Sequence, residues 1–187
     1  MSLKIKVITC STRPGRIGPT VSAWIAGEAR ARDGFEVEVV DLADLAVPVY
    51  DEPKHPSLKD YTHDHTKRWS AIVDEADGFI FVTPEYDFFP PASVVNAVQY
   101  LLLEWAKKPA GVVSYGGVSG GLRAMQVLRT LLGNVGMVAL NKSVPIPFVS
   151  KKIEDGKLVA NDEMGQGAGA MLDELEKWGA ALKPMRG

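Results

Sequence analysis

The chain has 187 residues, 46% of them hydrophobic and 24% charged, with a formal net charge of −2. That balance gives no general attraction to nucleic acid or an anionic membrane, and no apolar run approaches the roughly 20 residues that span a bilayer. The single cysteine, Cys10, excludes an internal disulfide and suits a reducing cytoplasm.

The length favours one domain with a sizeable core, over residues 1–187. No signal-peptide architecture precedes the first apolar run, Ile5-Lys6-Val7-Ile8-Thr9, whose β-branched residues predict a strand. Val21, Trp24, Ile25 and Ala29 follow at helical spacing. Between them lies a polar loop, Ser11-Thr12-Arg13-Pro14-Gly15-Arg16. A strand that turns into a helix this way aims unpartnered N–H groups and a positive helix end at one spot, which suits an anion. The spelling lacks the Gly-Lys-Ser/Thr of a P-loop, and with only Gly15 and Gly18 it lacks a full G-x-G-x-x-G. A terminal monophosphate fits a turn so rich in hydroxyls and arginines.

Arg32-Asp33-Gly34 closes the helix, and Phe35 to Val40 reads as a second strand. From Asp41 to about Asp64 the chain is polar and broken by Pro48, Pro53 and Pro56. His63 and His65 make an H-x-H pair, but with no further His or Cys nearby a solvated surface is favoured over a metal site. Thr66 to Asp77 reads as a helix with Trp69, Ile72, Val73 and Ala76 inward, and Gly78 to Val82 as a parallel strand buried on both faces. The segment Thr83 to Pro91 is too aromatic and Pro-rich for a routine connector. Its Tyr86, Phe88 and Phe89 suit either packing or one wall of a slot for a planar ring. A helix over Ala92–Glu104, a fourth strand over Pro109–Tyr115, a glycine loop at 116–121 and a helix from about Leu122 to Leu132 come next. Met137–Leu140 reads as a short fifth strand, Asp155-Gly156 as a hairpin turn, and about Glu163 to Leu182 as the closing helix.

Strands alternating with helices imply an α/β fold, a flavodoxin-like three-layer α/β/α sandwich around a five-stranded parallel sheet of order 2-1-3-4-5. The loops after the first, third and fourth strands would then meet at the carboxyl edge, where such sheets bind ligands. Gly117-Val118-Ser119-Gly120-Gly121 also matches the G-x-S-x-G elbow of hydrolases, but His55, His63 and His65 all precede Ser119, whereas that fold needs its histidine after the serine. Glycines without Cβ suit close approach to a flat ligand instead. A phosphate at one end and a flat ring at the other describe a mononucleotide such as FMN.

At these residues the chain resembles the NADPH-dependent FMN reductase family. Cys10–Gly18 is similar to its phosphate loop. Pro84-Glu85-Tyr86-Asp87, with Pro91-Ala92 and Asn96–Leu101, resembles its second block, and Ser114-Tyr115-Gly116-Gly117 with Gly120-Gly121 its third. The resemblance implies FMN with its phosphate on Ser11, Arg13, Arg16, Ile17 and Gly18. Backbone groups of Pro84, Glu85, Tyr86 and Asp87 would meet the isoalloxazine edge, with Ser114, Tyr115, Gly116 and Gly117 on the other side. It implies NADPH or NADH as co-substrate and a small-molecule acceptor: a quinone, azo compound, metal oxyanion or free flavin. It further implies a homodimer or homotetramer, with the interface sought on the helix beginning near Ala92 and at Trp105, and neither a nucleic-acid nor a membrane partner. Hydride transfer needs no side-chain acid or base, so no catalytic residue and no metal are assigned. The sequence departs from the family pattern at Cys10 for a usual Gly, Asp87 for a usual Asn, Phe89 for a common Ser, Pro90 for a common aromatic and Val95 for a common Lys. Asp87 keeps an acceptor, loses the amide donor and adds negative charge beside the flavin. Two alternatives stay open: a non-enzymatic electron carrier of the same fold, disfavoured by the weak net charge, and a flavin-less binding module.

Overall fold

The structure, a computed structural model, describes residues 2–186; both end positions of the domain expected over 1–187 lie outside the described residues. Strands β1 (Leu3–Thr9), β2 (Phe35–Asp41), β3 (Gly78–Pro84) and β4 (Pro109–Tyr115) are joined by β5 (Val138–Ala139) and β6 (Val144–Ile146) in a parallel sheet of order β2-β1-β3-β4-β5. The expected order is observed, but the sheet has six strands, because its fifth lane is split. β5 pairs with Pro109 and Ala110, and β6 with Val113, Ser114 and Tyr115. β6 carries Pro145, which lacks an N–H and fits a lane with no further strand beyond it.

All seven residues of β3 and all seven of β4 are buried. Successive side chains take opposite faces, so Phe79 and Phe81 join one core while Ile80 and Val82 join the other. The first core is covered by α3 (Asp64–Glu75), α4 (Ala92–Gln99) and α5 (Leu122–Asn134), through Trp69, Val94 and Leu128. The second is covered by α1 (Gly18–Arg30) and α6 (Asp162–Leu182), through Val21, Ile25, Met171 and Leu175. A single turn of helix, α2 (Leu42–Leu45), occupies part of the stretch expected to be irregular, capped by Asp41 through the Ala43 N–H.

The helix expected over Ala92–Glu104 stops at Gln99, and a 3-10 turn follows at Leu103–Trp105. Trp105 is therefore not an interface residue. It is fully buried, its ring lies 5.7 Å from Trp69 and 5.0 Å from Phe79, and its indole N–H donates to the Val98 carbonyl at 3.1 Å.

Polar groups buried at the amino edge of the sheet serve the fold. Asp77 accepts from the Lys4 N–H, Lys183 Nζ and Arg186 at 3.0, 2.7 and 2.8 Å, tying the C-terminal segment down. Lys108 is 4% exposed and donates to the Val73 and Asp74 carbonyls at 2.8 and 2.9 Å, closing the end of α3. Two acceptors satisfy a neutral amine, and burial pushes its pKa down to about 8 from 10.5. The unfolded chain thus binds the extra proton between about pH 8 and 10.5. Stability relative to a Lys108→Met variant should be flat below pH 8 and rise across that window, by at most about 3 kcal/mol. Urea midpoints at pH 7, 8.5 and 10 would show this; parallel curves for the two proteins would refute it.

Candidate active site

Three loops leave the carboxyl edge at one level, because the backbone ladder continues past the strands. Cys10 N–H donates to the Val82 carbonyl at 3.0 Å, Glu85 N–H to Tyr115 at 3.2 Å, and Gly116 N–H to Ile146 at 3.3 Å. The loops carry the residues expected from the sequence, and side chains lock them together.

In the first loop, the N–H groups of Ser11, Thr12, Arg13, Ile17 and Gly18 find no acceptor among the described residues. Ser11 is buried, with its Oγ 2.6 Å from the Tyr86 hydroxyl, so the first loop is bonded to the second. Arg13 is exposed and unpaired among the described residues. Arg16 is already engaged by Asp41 at 2.7 Å, yet its buried Nε has no partner. Ile17 caps α1 through its carbonyl, which accepts from Thr20 and Val21. Gly18 begins α1 with the Tyr115 hydroxyl 3.0 Å and Thr9 Cγ2 3.1 Å from where a Cβ would stand, so a larger residue would push the helix away from the strands. Cys10 is a fully buried, neutral thiol, its pKa raised by burial.

The second loop is a tight hairpin. Pro84 ends β3, Tyr86 and Phe89 exchange two backbone hydrogen bonds at 2.9 Å, and Asp87 and Phe88 between them have φ of 49° and 73°. Left-handed backbone at both central residues is the geometry of a type I′ turn. Tyr86 therefore has no free backbone N–H, whereas those of Asp87 and Phe88 stay unclaimed among the described residues. Glu85 faces the third loop, where its carboxylate accepts from the Arg123 and Ala124 N–H groups at 3.1 and 3.4 Å, from Arg123 Nε at 2.7 Å and from the Ser119 hydroxyl at 3.1 Å. Burial alone would raise its pKa, but these donors outweigh that and hold it below the ordinary value.

The third loop departs most from expectation. Ser114 is buried and donates to the Gly120 carbonyl at 2.9 Å, so its side chain braces the turn instead of lining the edge. Tyr115 is buried beside Gly18 under the first loop, its phenol held protonated by burial. Gly121, at φ 80°, would place a Cβ 2.8 Å from the Tyr115 backbone, so this glycine serves close packing of the chain on itself. Gly117 is the open one: a side chain there would meet no atom within 4 Å, and Gly116 lies just behind it. Ser119 is tied into the Glu85 cap, with no histidine among its partners. His65 instead meets Asp51 at 3.0 Å, away from this loop in the bonding pattern.

Arg123 joins the site from outside the motifs of the sequence. A cation in the first turn of a helix opposes the helix dipole, and that is the signal that could have found it. Its guanidinium lies 3.7 Å from the centroid of the Phe88 ring.

Comparison with known proteins gives a consistent result. The family described as NADPH-dependent FMN reductase matches residues 3–151. The chain is similar to an NAD(P)H-dependent FMN reductase of Schizosaccharomyces pombe, 42% identical over 126 residues that cover 66% of this chain and 63% of the relative. It is also similar to an NAD(P)H-dependent FMN reductase of a Nectria species, 36% identical over 166 residues that cover 83% of each chain. In structure it resembles the flavoenzyme NAD(P)H:(acceptor) oxidoreductase of Paracoccus denitrificans, with a TM-score of 0.75 at 19% identity over 96% of this chain and 98% of that one, a likeness that bears on the fold.

The Glu85 cap can be tested by itself. Glu85→Ala leaves the first turn of α5 without its acceptor and should lower stability by about 2 kcal/mol at neutral pH. Because the native carboxyl is held below 4.5, that difference should persist above this pH and shrink as acid protonates the wild type. Equal unfolding midpoints at pH 7 would show that the cap carries no stability.

Proposed function

The chain belongs to the NADPH-dependent FMN reductase family, and from that premise we propose that it holds FMN at the carboxyl edge of its sheet and passes hydride from NADPH or NADH to a small acceptor. The observation that carries this reading is the set of unclaimed donors in the first loop, at the level of two loops whose own side chains are already satisfied by one another. The donor set fits FMN. A phosphate dianion takes backbone N–H groups of the Ser11–Gly18 loop, the free guanidinium of Arg13 and the orphan Nε of Arg16. The open N–H groups of Asp87 and Phe88 suit the polar rim of a ring, and the bare face of Gly117 leaves room for a flat one.

FMN, when bound, supplies the hydride-accepting ring. Each residue of the chain then has a positioning task. Ser11 and Tyr86 share a hydroxyl hydrogen bond that couples the hairpin to the loop, and with Tyr86 as its donor the serine proton is left for the phosphate. Asp41 orients Arg16 but neutralises it, so Arg13 is the principal source of charge for the phosphate. Pro84, Glu85, Gly116 and Gly117 set the separation of the two ring-side loops through the ladder and the cap. No acid or base is required.

The same proposal keeps the chain as one domain in the cytoplasm, where the buried thiol of Cys10 remains free, and as a homodimer or homotetramer. Exposed Val49, Leu103 and Phe89 offer apolar area for such contacts. No helix among the described residues is long and apolar enough to cross a membrane.

Protein incubated with excess FMN and desalted should show a flavin band shifted from that of free FMN and bleached by NADPH. Arg13→Ala should weaken FMN binding roughly 10-fold, read by flavin fluorescence at equilibrium. Absence of quenching and of any polarisation change in the wild type would overturn the proposal.

A further inference from the structure

Of the exposed phenylalanines at the rim of the site, two sit in backbone geometry that L residues avoid. Phe88 has φ 73° and Phe148, two residues beyond β6, has φ 49°; they are 57% and 48% exposed. Left-handed backbone on bulky residues concentrates where a site requires it. Each ring carries a cation: Arg123 lies 3.7 Å from the Phe88 centroid, and Lys151 Nζ lies 5.3 Å from that of Phe148. The two units belong to one rim. Phe148 N–H donates to the Gly117 carbonyl at 2.9 Å and Val149 N–H to Gly116 at 3.2 Å, while Glu85 holds Arg123 from the hairpin side. Arg123 is neutralised by Glu85, whereas no carboxylate among the described residues pairs with Lys151.

Resting on the reductase reading above, we propose that the Phe88–Arg123 and Phe148–Lys151 pairs form a subsite selective for planar aromatic molecules that carry a negative charge. A flat ring stacks on the exposed phenylalanine faces or on the guanidinium plane, and the anionic substituent takes Lys151. A compact oxyanion makes no use of two exposed rings, and a neutral ring makes no use of the free cation. Two sources share this chemistry: the phosphorylated adenosine end of a pyridine nucleotide, and a sulfonated aromatic acceptor.

The test is calorimetric titration of the FMN-loaded protein with adenosine 2′,5′-bisphosphate against adenosine, and with anthraquinone-2-sulfonate against 2-(hydroxymethyl)anthraquinone. At least one anion should bind roughly 10-fold more tightly than its neutral counterpart. The preference should largely vanish in Lys151→Gln, persist in Lys151→Arg, and both members of the pair should weaken in Phe148→Ala. Selectivity for the bisphosphate identifies a nucleotide-donor subsite, and selectivity for the sulfonate an acceptor subsite. No charge preference, or a preference unchanged in Lys151→Gln, overturns the proposal. The visible flavin band separates this failure from failure of the parent reading: a protein that binds flavin but ignores charge refutes only the subsite.

Discussion

Helix α5 cannot satisfy its own first turn. Its N-cap is Gly121, which has no side chain to offer an acceptor, so the Arg123 and Ala124 N–H groups turn to a carboxylate from another loop. Glu85 is the first residue after β3, and its cap therefore fixes the distance between the hairpin and the glycine loop. The same carboxylate orients Arg123, and Arg123 then covers Phe88. A cap contributes about 1–2 kcal/mol, comparable with the roughly 1–3 kcal/mol that one left-handed non-glycine residue costs. The hairpin holds two such residues, and the cap, the cross-bridge at Tyr86–Phe89 and the Arg123 stack together keep it in place.

A parallel sheet covered on both faces leaves polar chemistry only at its two ends, and here the ends are used differently. At the amino edge two buried charged groups are consumed by the fold: Asp77 by Lys4, Lys183 and Arg186, and Lys108 by two carbonyls. At the carboxyl edge the side chains satisfy one another while a row of backbone N–H groups is left open. Preorganised donors of this kind suit a ligand that brings its own reactivity and asks the protein for position.

Much of this was legible in the sequence, and most of the failures share a cause. The β-branched run before the Ser11–Gly18 loop and the apolar run Gly78–Val82 announce strands because their periodicity reflects burial, which composition records directly. Residue types also brought the three loops together. What the spelling could not show was which way a side chain turns. Ser114 and Tyr115 follow one another on a strand and so point to opposite faces, and both are drawn inward. Arg16 reads as unpaired positive charge until β2 delivers Asp41 beside it, and Trp105 reads as an interface residue until the chain turns back at Gln99. Each miss depends on a partner distant in sequence. The split fifth lane was missed for a different reason: a three-residue strand containing a proline has too little periodicity to register.

The turn at Asp87-Phe88 shows how the local rules and the site are reconciled. A two-residue I′ turn favours Asn or Asp first and Gly second, so Asp87 suits its place and Phe88 does not. Glycine at 88 would relax the backbone but delete the ring that Arg123 covers. The left-handed backbone of the turn leaves the N–H groups of Asp87 and Phe88 outside the hairpin ladder, as successive donors that favour electron density. The Asp87 carboxylate opposes that preference. It is exposed, and at water-like dielectric a charge 4 Å away contributes only about 1 kcal/mol, further screened by salt. Donors in direct contact with a ligand lose their water and are not screened in this way. On the proposed reading the backbone of the turn therefore outweighs its acidic side chain, and Asp in place of Asn tempers the site without inverting its preference for negative charge.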